Sequence, residues 1–307
     1  MYIEQLKKYN LNLVLYFILP GGFMLLMLWN YLASMDLDTN EVIQQTISMI
    51  GVNGTFVAMI APLAIGLFVV FFWTKFIQNI EIRTLTTSRK KVDWKRIFFS
   101  FFLWGSITSL LIYASYIHEP ENFVWNFKPE KFAVFLVLAI LLIPLQTSFE
   151  EYLFRGHLMQ GLGLATNSRL IPLLVTSFLF GIMHAANPEV EKVGWVIMVY
   201  YIATGLFLGM ITLMDEGLEL ALGFHAANNL VSALLVTADW TAFQTHSIFK
   251  DVSDPSTGFE IVLPVFIIFP TLLLIFSKVY NWKNWKQKLT GSLISTSIDD
   301  TTLQQNS

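Results

Sequence analysis

The chain has 307 residues, 55% of them hydrophobic and only 13% charged, with a mean hydropathy of +0.59; a soluble domain carries roughly 25% charged residues, so a soluble globular protein is excluded. With no cysteine, disulfides, thiolate metal sites and a cysteine nucleophile are excluded as well. The formal net charge of -3 is small and says little about partners.

Lys7 and Lys8 precede an apolar run that extends to about Leu32. That run is longer than the apolar region of a usual signal peptide, so it is expected to stay in the mature protein as a span. Eight hydrophobic stretches follow one another, at residues 12–32, 55–76, 97–117, 132–158, 170–184, 194–214, 218–238 and 261–278. Each approximates the roughly 20 residues that a helix needs to cross a bilayer. Their continuous apolar character excludes the alternation of a membrane barrel. The pattern predicts an all-α polytopic membrane protein of about eight transmembrane helices. Pro20-Gly21-Gly22 in the first stretch and Pro172 in the fifth predict kinks or breaks.

Basic residues set the expected orientation. Segment 73–96 carries Lys75, Arg83, Arg89, Lys90, Lys91, Lys95 and Arg96, and the end of the chain carries Lys278, Lys283, Lys286 and Lys288. Segment 33–53 holds Asp36, Asp38 and Glu41 and no basic residue. Eight crossings then leave both termini cytoplasmic. Four regions are expected: residues 1–131 with three helices and the basic loop, a core at 132–238, the last helix and its basic flank at 239–291, and a disordered polar tail at 292–307.

Residues 149–156 read FEEYLFRG and follow an apolar run, so Glu150, Glu151 and Arg155 fall where hydrocarbon is expected. Such groups cost roughly 2.5–3.5 kcal/mol each at a helix centre on insertion scales, and a membrane protein keeps them where they are paired or used. On a helix Glu151 and Arg155 stand one turn apart and pair, while Glu150 lies about 100° round from Glu151 and faces elsewhere. Two further stretches carry polar groups: the fifth ends at His184, and the seventh holds His225, Asn228 and Asn229, with His225 and Asn229 on one face. At 1.5 Å per residue Glu150, His184 and His225 lie about 15, 20 and 10 Å from the cytoplasmic helix ends. A shared site opening towards the cytoplasmic half of the bilayer is therefore expected.

These groups suit water activation. A carboxylate or imidazole takes a proton from water while a second group orients it, and imidazole and carboxamide N–H groups stabilise the oxyanion of a tetrahedral intermediate. The same side chains could instead hold zinc, with Glu150, His184 and His225 as ligands and one position open. Spacing does not decide between the two, and no compact metal motif is present.

Taken in order, Glu150-Glu151-Tyr152-Leu153-Phe154-Arg155-Gly156, then Phe180 and His184 four apart, then His225 and Asn229 four apart, resemble the CPBP family. These are intramembrane proteases related to CAAX prenyl proteases and to Abi proteins of bacteriocin processing and immunity. The family pattern is EExxxR, FxxxH and HxxxN on successive core helices, and the resemblance covers about residues 132–230. The glycines of Thr204-Gly205-Leu206-Phe207-Leu208-Gly209 look like the small-residue span between the second and third motifs. The resemblance implies a catalytic core on the fourth, fifth and seventh helices. It gives Glu150 and His184 the role of activating water, His225 and Asn229 the oxyanion hole, and Glu151 and Arg155 a supporting role. The family has been described both as metalloproteases and as metal-independent glutamate proteases. Asn229 suits an oxyanion donor better than a zinc ligand, which favours the reading that requires no cofactor.

The remaining polar residues have plainer explanations. His157 is expected at the membrane interface, and His118 and His246 in solvated outer loops. Asn228 is expected to hydrogen-bond between helices, Asp215, Glu216 and Glu219 to form a solvated turn, and Trp282 with Trp285 to anchor the interface. The sequence thus points to an intramembrane endopeptidase of a bacterial plasma membrane, with the bilayer and a membrane-bound protein or peptide substrate as partners and no nucleic acid. The alternatives are a peptide-binding immunity or scaffold protein without activity and, third, a proton-coupled transporter. The transporter is disfavoured by the lack of a second, inverted half.

Overall fold

In the computed structural model, which describes residues 1–9, 11–254 and 263–293, the apolar stretches are helices. α1 (Leu15–Ser34) runs through Pro20 without interruption. The break expected there does not form: Pro20 removes one donor near the start of the helix, and Gly21 and Gly22 face open space. α2 (Thr39–Phe72) begins well before its expected start, because Asp38 caps it by accepting the N–H groups of Asn40 at 2.8 Å and Glu41 at 3.1 Å. The acidic segment expected as a loop is thus largely helical. The irregularity falls instead at Gly51, whose φ of 74° only glycine adopts readily.

A π-helical turn (Trp73–Ile77) and the short α3 (Ile82–Thr86) lead to α4 (Trp94–His118). α5 (Pro129–Glu151) starts on a proline in its first turn, where the missing N–H costs nothing. It passes through a second π-helical turn (Tyr152–Leu158) into α6 (Met159–Thr166). α7 (Leu170–Ile182) has Pro172 in its first turn, which is why the expected kink is absent. Then come α8 (Pro188–Val193), α9 (Ile197–Asp215), α10 (Glu219–Leu235), α11 (Phe269–Val279), which a π-helical turn (Pro264–Ile268) precedes, and α12 (Trp285–Thr290).

Among the described residues five helical stretches are long and apolar enough to cross a membrane: Leu15–Ser34, Thr39–Ile77, Trp94–His118, Pro129–Thr166 and Ile197–Asp215. The fifth, seventh and eighth stretches expected from the sequence form shorter helices, two of them predominantly apolar. The molecule is an all-α polytopic membrane protein. Among the described residues the helices are joined by a small sheet in which β1 (Phe123–Trp125) pairs antiparallel with β3 (Phe249–Asp251), and β3 pairs in parallel with β2 (Val236–Thr237). The sheet ties the α4–α5 loop to the segment after α10, at the end of the bundle opposite the basic loop.

Close approach of the central helices depends on two glycines. A Cβ on Gly205 of α9 would lie 2.6 Å from the Ser177 carbonyl oxygen of α7, and one on Gly223 of α10 would lie 2.0 Å from the Ile97 carbonyl oxygen of α4. Aromatic packing fills the centre: Trp104 stacks on Phe224 at 4.6 Å, and Phe207 on Phe269 at 4.8 Å.

The basic-loop end is sealed by ion pairs. Arg89 reaches Asp215 at 2.9 Å and Glu219 at 3.1 Å, and Arg96 pairs with the same aspartate. Asp215 and Glu219 are therefore buried, not a solvated turn, because the arginines of the basic loop fold over them. Trp282 is likewise drawn inward, donating to Asp215 Oδ1 at 3.1 Å. The Tyr2 N–H donates to Glu216, and Lys288 donates to the Met214 carbonyl at 2.8 Å. Both described terminal segments thus pack at the same end as the basic loop. Ser292 bridges to Ser168 and Leu293 is buried, so the first residues of the expected tail are ordered; residues 294–307 lie outside the described residues.

Candidate active site

The site is built from the end of α5, the π-turn after it, the turn after α7, and the first half of α10. Glu151 and Arg155 form the expected one-turn pair, at 3.0 Å, with both side chains wholly buried. Arg155 also donates to the Gly205 carbonyl at 3.0 Å and lies over the Phe180 ring at 4.4 Å. An arginine with a carboxylate, a carbonyl and an aromatic face is tolerable in an apolar interior, where a bare charge is not.

The Glu151 oxygen that takes Arg155 also lies 2.8 Å from His225 Nδ1. A carboxylate held by a guanidinium accepts, so this imidazole nitrogen carries the proton and donates. The other nitrogen, Nε2, then faces Glu150 Oε2 across 3.6 Å. Glu150 is 7% exposed, and its Oε2 has no hydrogen-bond partner among the described residues. Its Oε1 accepts from Gln146 Nε2 at 2.5 Å, and Gln146 Oε1 in turn accepts from Asn229 Nδ2 at 3.3 Å. Asn228 receives the Trp104 indole N–H at 3.1 Å, the interhelical bond expected of it, and donates to Asn229 Oδ1 at 3.1 Å.

His184 stands apart from this cluster. Its Nδ1 donates to the Phe180 carbonyl at 2.9 Å, its ring stacks on Tyr201 at 4.4 Å, and it makes no hydrogen bond to Glu150. Phe180 touches both imidazoles, with ring centroids 5.2 Å from His184 and 5.7 Å from His225. Both histidines thus have Nδ1 committed to a hydrogen bond, and His225 turns its Nε2 to Glu150. Among the described residues no three His, Asp or Glu side chains stand where one metal ion could take them all. The trio Glu150, His184 and His225 does not fit a zinc site in this arrangement, and no chemistry is routed through a metal here.

Glu150, His184, His225 and Asn229 line a single cavity of about 1060 Å³, bounded by α1, α2, α5, α7, α9 and α10. The cavity extends past Thr237 and Trp240 to Asp251 of β3, towards the end opposite the basic loop. Its wall also includes Ile18 and Leu19 of α1 and Val69 and Val70 of α2. His157 is also misjudged by its position: it is fully buried and hydrogen-bonded to Gln78 Oε1 at 3.0 Å, because the 73–96 segment folds back over it. His118 is exposed as expected, and His246 is half-buried. The sequence reading missed Gln146. An amide inside an apolar run, one helical turn before Glu150, was the available signal.

Residues 129–231 match the family described as type II CAAX prenyl endopeptidase Rce1-like. The match takes in about a third of the chain. It contains every side chain of the cluster from Gln146 to Asn229. The chain is also similar to the uncharacterized protein YyaK of Bacillus subtilis (strain 168), with 32% identity over 164 residues, 53% of this chain and 55% of the relative. The chain therefore spans about half the length of the curated relative it matches. No solved structure matches it.

Proposed function

We propose that this protein is an intramembrane endopeptidase in which Glu150 activates water. The carrying observation is the partnerless Oε2 of Glu150, buried, lining the cavity and 3.6 Å from His225 Nε2. A water placed there can bond to Glu150 without displacing any existing bond. The Rce1-like family of the segment supports the same reading.

In the proposed reaction the water gives one proton to Glu150 as its oxygen attacks the scissile carbonyl carbon. His184, with Nδ1 tied to the Phe180 carbonyl, offers Nε2 to orient that water. The negative charge that develops on the carbonyl oxygen is met by His225, in the form protonated at Nε2, and by the Asn229 amide, which keeps one N–H beyond the one given to Gln146. Glu150 then returns its proton to the leaving nitrogen as the C–N bond breaks. Water has been added across one peptide bond, and no covalent enzyme intermediate forms. Glu151 and Arg155 act through His225 as positioning residues. The substrate is a membrane-associated protein or peptide, and no cofactor is required.

The test is hydrolysis of a capped, quenched-fluorescent apolar peptide by purified protein in lipid nanodiscs, with Glu150→Gln as control. Turnover by wild type alone, with solvent oxygen incorporated into the new carboxylate, supports the proposal. Equal turnover by the variant refutes the role of Glu150.

A further inference from the structure

The cavity that holds Glu150 has a second polar end. Glu189 of α8 lines it, and the backbone N–H of Ala242 donates to Glu189 Oε1 at 2.9 Å. Among the described residues the other oxygen, Oε2, is buried without a partner, and so is the indole N–H of Trp240 on the same cavity wall. Asn187 donates to the Tyr201 hydroxyl at 3.5 Å, and Tyr201 stacks on His184, so this end adjoins the His184 side of the site. Glu150, Glu189 and Asp251 are the carboxylates of the wall, and among the described residues no lysine or arginine lines it.

We propose that Glu189 forms a specificity subsite that takes a lysine or arginine side chain of the substrate, a deepening that rests on the endopeptidase reading. A carboxylate oxygen buried without a partner is costly, and an incoming ammonium or guanidinium supplies the missing bond and the opposite charge. The Trp240 N–H meets a backbone carbonyl of the same peptide. Burial, which holds the Glu189 carboxyl above the usual carboxylate range despite the bond from Ala242, fits a group whose cationic partner arrives with the ligand.

The test measures binding, not cleavage. Glu150→Gln protein in phosphatidylcholine nanodiscs, whose lipid carries no net charge, is titrated with three fluorescent apolar decapeptides capped at both ends. They carry lysine, norleucine or glutamate at one central position. The lysine peptide is expected to bind about tenfold or more tightly than the norleucine peptide, and the glutamate peptide most weakly. Adding Glu189→Gln should erase the lysine preference while leaving norleucine binding unchanged, which also shows that the variant is folded. Equal affinities, no binding by any peptide, or a preference that survives Glu189→Gln overturns the subsite. Because no hydrolysis is needed, this outcome is separate from whether the protein is a protease: cleavage without a lysine preference sinks the subsite alone.

Discussion

His225 and Arg155 share one acceptor: Glu151 Oε1 lies 2.8 Å from the imidazole Nδ1 and 3.0 Å from the guanidinium. That shared oxygen sets the ring so that Nε2 is turned to Glu150. The second glutamate of the pair thus holds the histidine that faces the first.

Glu151→Gln should lower kcat by about 10²–10⁴-fold, by analogy with other carboxylates that orient a catalytic histidine. KM should stay near the wild-type value, because Glu151 does not line the cavity. Steady-state kinetics of the nanodisc-embedded protein would check the split. A rise in KM with kcat intact would contradict the positioning role.

Arg155→Met leaves Glu151 buried beside an apolar side chain. Breaking a buried pair in this way costs about 3–5 kcal/mol. Thermal unfolding in detergent should show a clear fall in Tm. The double variant Glu151→Gln, Arg155→Met should recover much of it, since the uncompensated charge is then gone. No recovery in the double variant would mean that Arg155 stabilises mainly through the Gly205 carbonyl and the Phe180 ring.

The Glu189 carboxyl is raised by burial, and the sign of its pH effect follows. A carboxyl that holds its proton more tightly in the folded state favours folding below its unfolded pKa, and that contribution is lost as pH rises through the folded value. At neutral pH, Glu189→Gln should therefore raise Tm in peptide-free protein. On acidification below the ordinary carboxylate range the gain should disappear. A gain that is independent of pH would show that the charge of Glu189 is not its source.

Chelation distinguishes the two chemistries left open by the sequence. Dialysis against a strong chelator followed by assay in metal-free buffer should leave the cleavage rate unchanged. Loss of activity that zinc restores would assign a metal to the site and overturn the glutamate mechanism.

Much of the site was legible in the sequence because charge in hydrocarbon is expensive enough to be conspicuous. Glu151 and Arg155 were expected to pair on a helix and do so at 3.0 Å, and Asn228 was expected to bond between helices and meets Trp104. Hydropathy alone gave the membrane class and the positions of the helices. What failed depended on folding back of polar segments, which periodicity does not register. Asp215, Glu219, His157 and Trp282 all read as surface residues, and all are buried because Arg89, Arg96 and Gln78 reach over from the basic segment. The helix start at Thr39 was hidden because a capping aspartate in an acidic run looks like a loop.

The most direct measurement is a comparison of peptide termini in host membranes that contain wild type or Glu150→Gln at equal expression. Termini that arise only with wild type, and reappear when a candidate substrate is mixed with the purified protein, are the expected result. Identical termini in the two membranes, together with a biological phenotype that survives the substitution, would contradict proteolysis and point to a protein that binds peptides in the cavity without cutting them.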